Sequence, residues 1–398
     1  MNKQQITDDE VKKALAACVE QVRRNIPEYT NNSQNHSSVN GFYPKCGNTQ
    51  WTCGFWPGEL WLSYEASHET SFKDAALVHV QSMKNRIGNK IEVEHHDMGF
   101  LYSPSCVAAW KITGNDDARS AALLAADQLI RRYQPKGQFI QAWGAMGEPQ
   151  NYRYIIDCLL NTPLLYWASR ETGDEKYADI ARAHTQTCMK NSIRPDGSTY
   201  HTFFMDIRTG APLRGATCQG YSDDSVWARG QSWGVYGSAL AYRYDPQPAY
   251  LESFRRTLEF FLSRLPSDSV PYWDMIFTDA NAVHDGETEP RDSSSASIVC
   301  CGLLDMASRL RETGAAEYAD EVKKYERTAR IILKSLADNY AVKDSSKANG
   351  LVLHGTYSKK SPYNTCTPEG VDECVSWGDY FYMEALTRLS NPGWNLYW

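Results

Sequence analysis

Three short runs in this chain gather residue types that can move a proton or grip an anion. The first, Glu94-His95-His96-Asp97-Met98-Gly99-Phe100, sets two histidines among acids. It lacks the HExxH spacing of a metalloprotease helix, so a carboxylate positioned by its neighbours reads better than a metal site. A helix-capping Asp97 is the bland alternative. The second, Tyr154-Ile155-Ile156-Asp157-Cys158-Leu159-Leu160-Asn161, places an acid between apolar residues. Ionising it there carries a desolvation penalty, which raises its pKa and suits it to donate a proton near neutral pH. A structural Asp157 bonded to backbone amides is the competing reading. The third, Gln219 to Gly234, holds Arg229 between Trp227 and Trp233 at a predicted helix start. An arginine there can bind a carboxylate with help from the helix dipole, or simply stack on its tryptophans. Trp143, in Gln141-Ala142-Trp143-Gly144, is a sugar platform or core, and His201 alone in a loop reads as structural. The serine run Ser293–Ser295 has no GxSxG elbow, and there is no phosphate loop or dinucleotide fingerprint.

These runs need a scaffold, and the sequence repeats one. Thr113-Gly114-Asn115-Asp116-Asp117, Thr172-Gly173-Asp174-Glu175-Lys176-Tyr177 and Thr313-Gly314-Ala315-Ala316-Glu317-Tyr318 each end one helix at glycine and open another with acids. Weaker versions sit at His68–Phe72 and Asp245–Tyr250. The helices expected after them, 71–85, 115–133, 175–191, 247–265 and 315–338, with 8–25 as a sixth, are amphipathic with one basic face turned to water. Six segments apolar nearly all round alternate with them: 55–66, 102–112, 154–170, 230–243, 295–311 and 377–389. Six inner and six outer helices predict an all-α fold, an (α/α)6 barrel of six helical hairpins forming one domain over 1–398. An α-solenoid also stacks helical pairs. The long loops before the inner helices, rich in Trp, His, Asp and Gln, favour a barrel with an active site at one end.

Composition agrees with a globular enzyme: 42% hydrophobic, 22% charged, with 12 Trp and 24 Tyr able to stack on sugar rings. A net charge of −7 argues against a nucleic-acid partner but allows an anionic ligand in a locally positive pocket. Met1 to Glu10 has no signal-peptide core, and no run approaches the ~20 apolar residues of a membrane span. Eleven cysteines without a CxxC pair predict neither a metal cage nor a disulfide framework, and a cytoplasmic setting.

Trp51-Thr52-Cys53-Gly54-Phe55-Trp56-Pro57-Gly58, His96-Asp97-Met98-Gly99-Phe100, Ile156-Asp157-Cys158-Leu159-Leu160-Asn161 and Trp227-Ala228-Arg229-Gly230-Gln231 together resemble the unsaturated glucuronyl hydrolases, glycoside hydrolase family 88. The likeness runs from about residue 8 to Trp398 and is strongest to the branch acting on unsaturated glycosaminoglycan disaccharides. It implies the same barrel, no metal or organic cofactor, and an anionic substrate from chondroitin or hyaluronan. It implies acid-catalysed hydration of the C4=C5 vinyl ether of a 4,5-unsaturated uronic acid, with Asp157 as acid/base and Asp97 as second carboxylate. Trp51, Trp143, His201, Gln219, Trp227, Arg229 and Trp233 then line the substrate site, and Ser358 and Ser361 match serines of a Ser-x-x-Ser-x-Lys sulfate-binding run. Here Tyr363 stands where that run has Lys, leaving Lys359 or Lys360 as the cations at hand. A monomer or weak oligomer without membrane attachment is expected. The alternatives are an unsaturated rhamnogalacturonyl hydrolase, a sugar epimerase working through a histidine pair, and a non-catalytic carbohydrate- or peptide-binding toroid.

Overall fold

The computed structural model describes residues 3–284 and 286–398. Outer helices are α1 (Asp8–Tyr29), α3 (Thr70–Gly88), α6 (Asp116–Ile130), α8 (Lys176–Ser192), α10 (Pro248–Ser263) and α12 (Ala319–Ser335). Inner helices are α2 (Phe55–Ser67), the pair α4 (Met98–Tyr102) and α5 (Ala108–Thr113), α7 (Pro163–Thr172), α9 (Ala228–Tyr244), α11 (Ser293–Glu312) and α13 (Ser376–Ser390). α13 packs on α11 on one side and on α2 and α1 on the other, so the ring closes as a barrel and not as a solenoid.

The two layers follow from their patterns. α12 buries Val322, Tyr325, Ala329, Ile332 and Leu333, a single stripe at helical spacing, and leaves its charges in water. α9 buries every residue from Ala228 to Tyr242, because it has neighbours on all sides. The turn phrases work as read: Gly114, Gly173 and Gly314 all have φ near +70°, and the Asn115 side chain accepts from Ala118 N (2.8 Å) to start α6.

Two inner segments differ from expectation. The helix predicted over 154–170 is not one helix. Arg153–Ile155 is a strand, Ile156–Leu160 a 3-10 turn, and the α-helix begins only at Pro163. Proline has no N–H to donate and its ring crowds the preceding turn, so it is tolerated at a helix start and not in the interior. The aromatic and β-branched residues before it pair instead with Thr202–Phe204, in a three-stranded sheet completed by Pro212–Ala216. The helix predicted from 102 begins at Met98 and widens into a π turn over Ser103–Val107 around Pro104. A candidate acid stands at the start of each altered element, Asp97 just before α4 and Asp157 in the 3-10 turn.

Candidate active site

The loops ahead of the inner helices enclose a cavity of about 440 Å3 at the mouth of the barrel. Asp97, Asp157, Trp51, Trp143, His201, Gln219, Arg229 and Ser358 all line it. A larger cavity, about 870 Å3, opens at the C-terminal ends of the inner helices, where Arg243, Arg311 and Arg388 are paired with carboxylates.

Asp157 sits in the 3-10 turn that follows the strand, so its side chain leaves the scaffold where the chain changes direction. Burial pushes its carboxyl up to about 7; the Arg229 charge pulls it back and the Asp97 charge pushes it further. Its Oδ1 is buried with no hydrogen-bond partner, and so is Nε1 of Trp233. Trp233 is one of the influences lowering Asp157, so the indole N–H faces the acid from beyond bonding distance.

Asp97 stands at the N-terminus of α4, yet its side chain makes no capping bond, which removes the helix-cap reading. It rests against His95 Nδ1 (3.0 Å) and His96 Nε2 (3.3 Å). Burial alone would raise Asp97, but His96, His95 and the Asn161 amide outweigh it and hold the carboxyl below its ordinary value. Burial takes His96 down to about 4, so at neutral pH it meets Asp97 as a neutral imidazole. The two acids are therefore driven apart: one protonated into the neutral range, one ionised. Asn161 joins their segments, accepting from Phe100 N (2.9 Å) and donating to the Asp157 carbonyl (3.4 Å). Gly99 allows that approach, since a Cβ there would lie 2.4 Å from Asn161 Cα.

Arg229 is fully buried between Trp227 and Trp377, with ring centroids 4.3 and 4.7 Å from its guanidinium carbon. Its Nη atoms donate to the carbonyls of Thr356 (2.7 Å) and Tyr357 (2.6 Å), and Asp292 lies 3.7 Å away. It thus ties the 356–369 loop to the barrel while keeping positive charge at the wall. Gln219 adds a second tie, to the Tyr357 carbonyl (3.1 Å). His201 lies on Trp227 (4.2 Å between rings) and accepts the Cys218 N–H on Nδ1 (3.2 Å), which leaves the proton on Nε2. Burial holds it well below the ordinary histidine value, so it is a neutral donor. Trp51 donates to the Tyr357 hydroxyl (3.3 Å), and Trp143 carries Arg153 over its ring (4.7 Å).

Three candidates stand off the wall. Trp227 and Trp233 lie behind it, in the layer supporting Arg229 and Asp157. Ser361 turns its hydroxyl to the Tyr221 carbonyl (2.5 Å) and accepts from Tyr363 N and Asn364 N, holding its own loop. The cavity also takes in Tyr357, Thr365, Cys366, Thr367 and Glu369, which sequence reasoning did not single out. Their only signal was nearness to Ser358. Among the described residues no three His, Cys, Asp or Glu side chains converge as a metal site.

Comparison with known proteins gives the family and the fold. The Glycosyl Hydrolase Family 88 model matches residues 19–383. An unsaturated chondroitin disaccharide hydrolase of Streptococcus pneumoniae is 45% identical over 393 residues, 99% of this chain and 95% of the relative. The crystal structure of the unsaturated glucuronyl hydrolase of Streptococcus agalactiae superposes with TM-score 0.92 at 42% identity, covering 100% of this chain and 96% of that one. A variant of that enzyme complexed with dGlcA-GalNAc6S gives TM-score 0.85 at 39% identity, over 100% and 95% of the two chains.

Proposed function

The chain belongs to glycoside hydrolase family 88, and from that premise we propose that it cleaves unsaturated glucuronyl disaccharides released by lyases from chondroitin or hyaluronan. The observation that carries this reading is Asp157: a buried carboxyl with a pKa near 7 and an unpartnered oxygen, bordering a sugar-sized cavity walled by tryptophans.

The reaction is a hydration. In the 4,5-unsaturated uronic acid the ring oxygen and the C4=C5 bond form a vinyl ether. Asp157 gives its proton to C4, and the ring oxygen stabilises the cation left at C5. Water adds at C5 as the Asp157 carboxylate takes its proton back, so one carboxyl serves as acid and then as base. The resulting C5 hemiketal opens to a ketone, and the hemiacetal left at C1 sheds the rest of the disaccharide. Because the proton never goes to the glycosidic oxygen, no paired nucleophile is required. Asp97, ionised, accepts sugar hydroxyls and keeps the Asp157 proton in place. Trp51 and Trp143 offer ring faces to the sugars, and Arg229 with neutral His201 faces the uronate end.

The whole chain acts as one catalytic domain, a monomer or weak oligomer without nucleic-acid partners. Eleven unpaired cysteines suit a reducing cytoplasm, and no helix among the described residues is long and apolar enough to cross a membrane. The test is loss of the ultraviolet absorbance of the conjugated double bond on adding enzyme to lyase-generated disaccharides. Absorbance that stays constant with every unsaturated uronide rejects the reading.

A further inference from the structure

The cavity wall formed by residues 356–369 differs in charge from the rest of the site. Ser358 and Glu369 exchange both backbone hydrogen bonds, Ser358 N to Glu369 O at 3.0 Å and Glu369 N to Ser358 O at 2.9 Å. They form a directly opposed antiparallel pair, with Cβ atoms about 5 Å apart on one face. Both line the cavity. The Ser358 hydroxyl donates its proton away, to the Thr367 carbonyl (2.6 Å), so only its lone pairs remain for a ligand. Beside it Glu369 accepts from His36 Nε2 (2.8 Å), and its side chain is still 55% exposed. Burial holds His36 below the ordinary histidine value, so at neutral pH the imidazole orients Glu369 without cancelling its charge.

The cations near this wall are each tied to groups of the protein itself. Lys359 Nζ pairs with Glu289 (3.3 Å), and Lys360 Nζ donates to the Asn364 carbonyl (2.6 Å). Arg229 is buried and held by carbonyls of its own chain. Tyr363 is exposed and packs on Tyr221 (5.4 Å between rings), contributing no charge.

We propose that Glu369 is a specificity-determining residue: with Ser358 it makes an acceptor-only, negative wall that selects disaccharides whose leaving sugar presents hydroxyl or amide N–H groups and rejects those carrying a sulfate ester there. The inference rests on the unsaturated disaccharide reading above. A carboxylate and a sulfate brought within about 6 Å at a partly wet surface repel by enough for a tenfold or larger difference in affinity.

The experiment compares kcat/KM for unsulfated and 6-O-sulfated unsaturated chondroitin disaccharides in the wild type, Glu369→Gln and Glu369→Lys. Glutamine keeps the acceptor for His36 and removes only the charge. The sulfated-to-unsulfated ratio is expected to rise about tenfold in Glu369→Gln and further in Glu369→Lys, the sulfated rate rising while the unsulfated rate falls as its donors lose the carboxylate, with the thermal midpoint kept. A ratio within twofold of wild type in both variants overturns the proposal. So does a parallel fall on both substrates, which marks a structural residue only. Wild type active on neither disaccharide, nor on any other unsaturated uronide, instead overturns the function on which the inference stands, and the inference with it.

Discussion

Asp157 at the barrel mouth and Asp379 on α13 are both carboxyls taken out of water, and burial is the largest influence raising each. Their surroundings then diverge. Asp379 accepts from the Tyr43 hydroxyl (2.8 Å) and Val352 N (2.8 Å), and its charge acts on the buried Glu59 of the adjoining helix α2. It does not border the 440 Å3 cavity. Asp157 keeps an oxygen unpartnered and does border it. A raised pKa therefore marks desolvation, which a core produces as readily as an active site. What separates the two regions is an incompletely satisfied carboxyl on the border of a space a substrate can enter.

Exchanging each acid for its amide tests that distinction most severely. Asp157→Asn is expected to lower turnover on the order of a thousandfold or more, as loss of an acid–base group does. Asp379→Asn should stay within about tenfold of wild type. Initial rates followed by the double-bond absorbance decide it, and equal losses would erase the contrast.

Gly99→Ala sharpens the same contrast without touching either carboxyl. The new Cβ would press on Asn161 and part the segments carrying Asp97 and Asp157. We expect kcat to fall about 10- to 100-fold, since small misplacements of catalytic groups are costly. The matching probe at the inner acid, Tyr43→Phe, removes a bond to Asp379 and should leave kcat near wild type while lowering the thermal midpoint.

The pH profile should carry only one of these acids. With Asp157 as proton donor, kcat/KM falls about tenfold per pH unit above pH 7. That limb should persist in Asp379→Asn, and its disappearance there would reassign the donor.

A smaller effect appears in stability. A carboxyl raised on folding binds more protons in the native than in the unfolded state between about pH 4 and pH 7, so stability declines as pH rises through that window. Asp157→Asn removes the decline. Its thermal midpoint relative to wild type should be higher at pH 8 than at pH 4 by a few degrees. An unchanged difference would mean that Asp157 ionises as freely as in the unfolded chain.

The barrel was legible because its signals are local: helical apolar spacing, small-residue inner segments and glycine–acid phrases at the turns. The desolvation of Asp157 was legible for a similar reason, since Ile155, Ile156, Leu159 and Leu160 announce a buried acid. The helix expected over 154–170 misled because the strand Arg153–Ile155 exists through Thr202–Phe204, far along the chain. Apolar residues alone do not say whether their partner is a helix or a strand.

The site candidates divide along the same line. Residue type and neighbours marked Asp97, Asp157, Trp143 and Arg229 as able to do chemistry, and the family resemblance added Trp51. They did not say that Ser361 points inward, that Trp227 and Trp233 stand behind the wall, or that Glu369 lies opposite Ser358. Periodicity and local composition thus determined the scaffold and marked the two acids as candidates. Only the tertiary structure decided which polar groups are already satisfied and which are left open, because a hydrogen bond depends on partners brought together from distant parts of the chain.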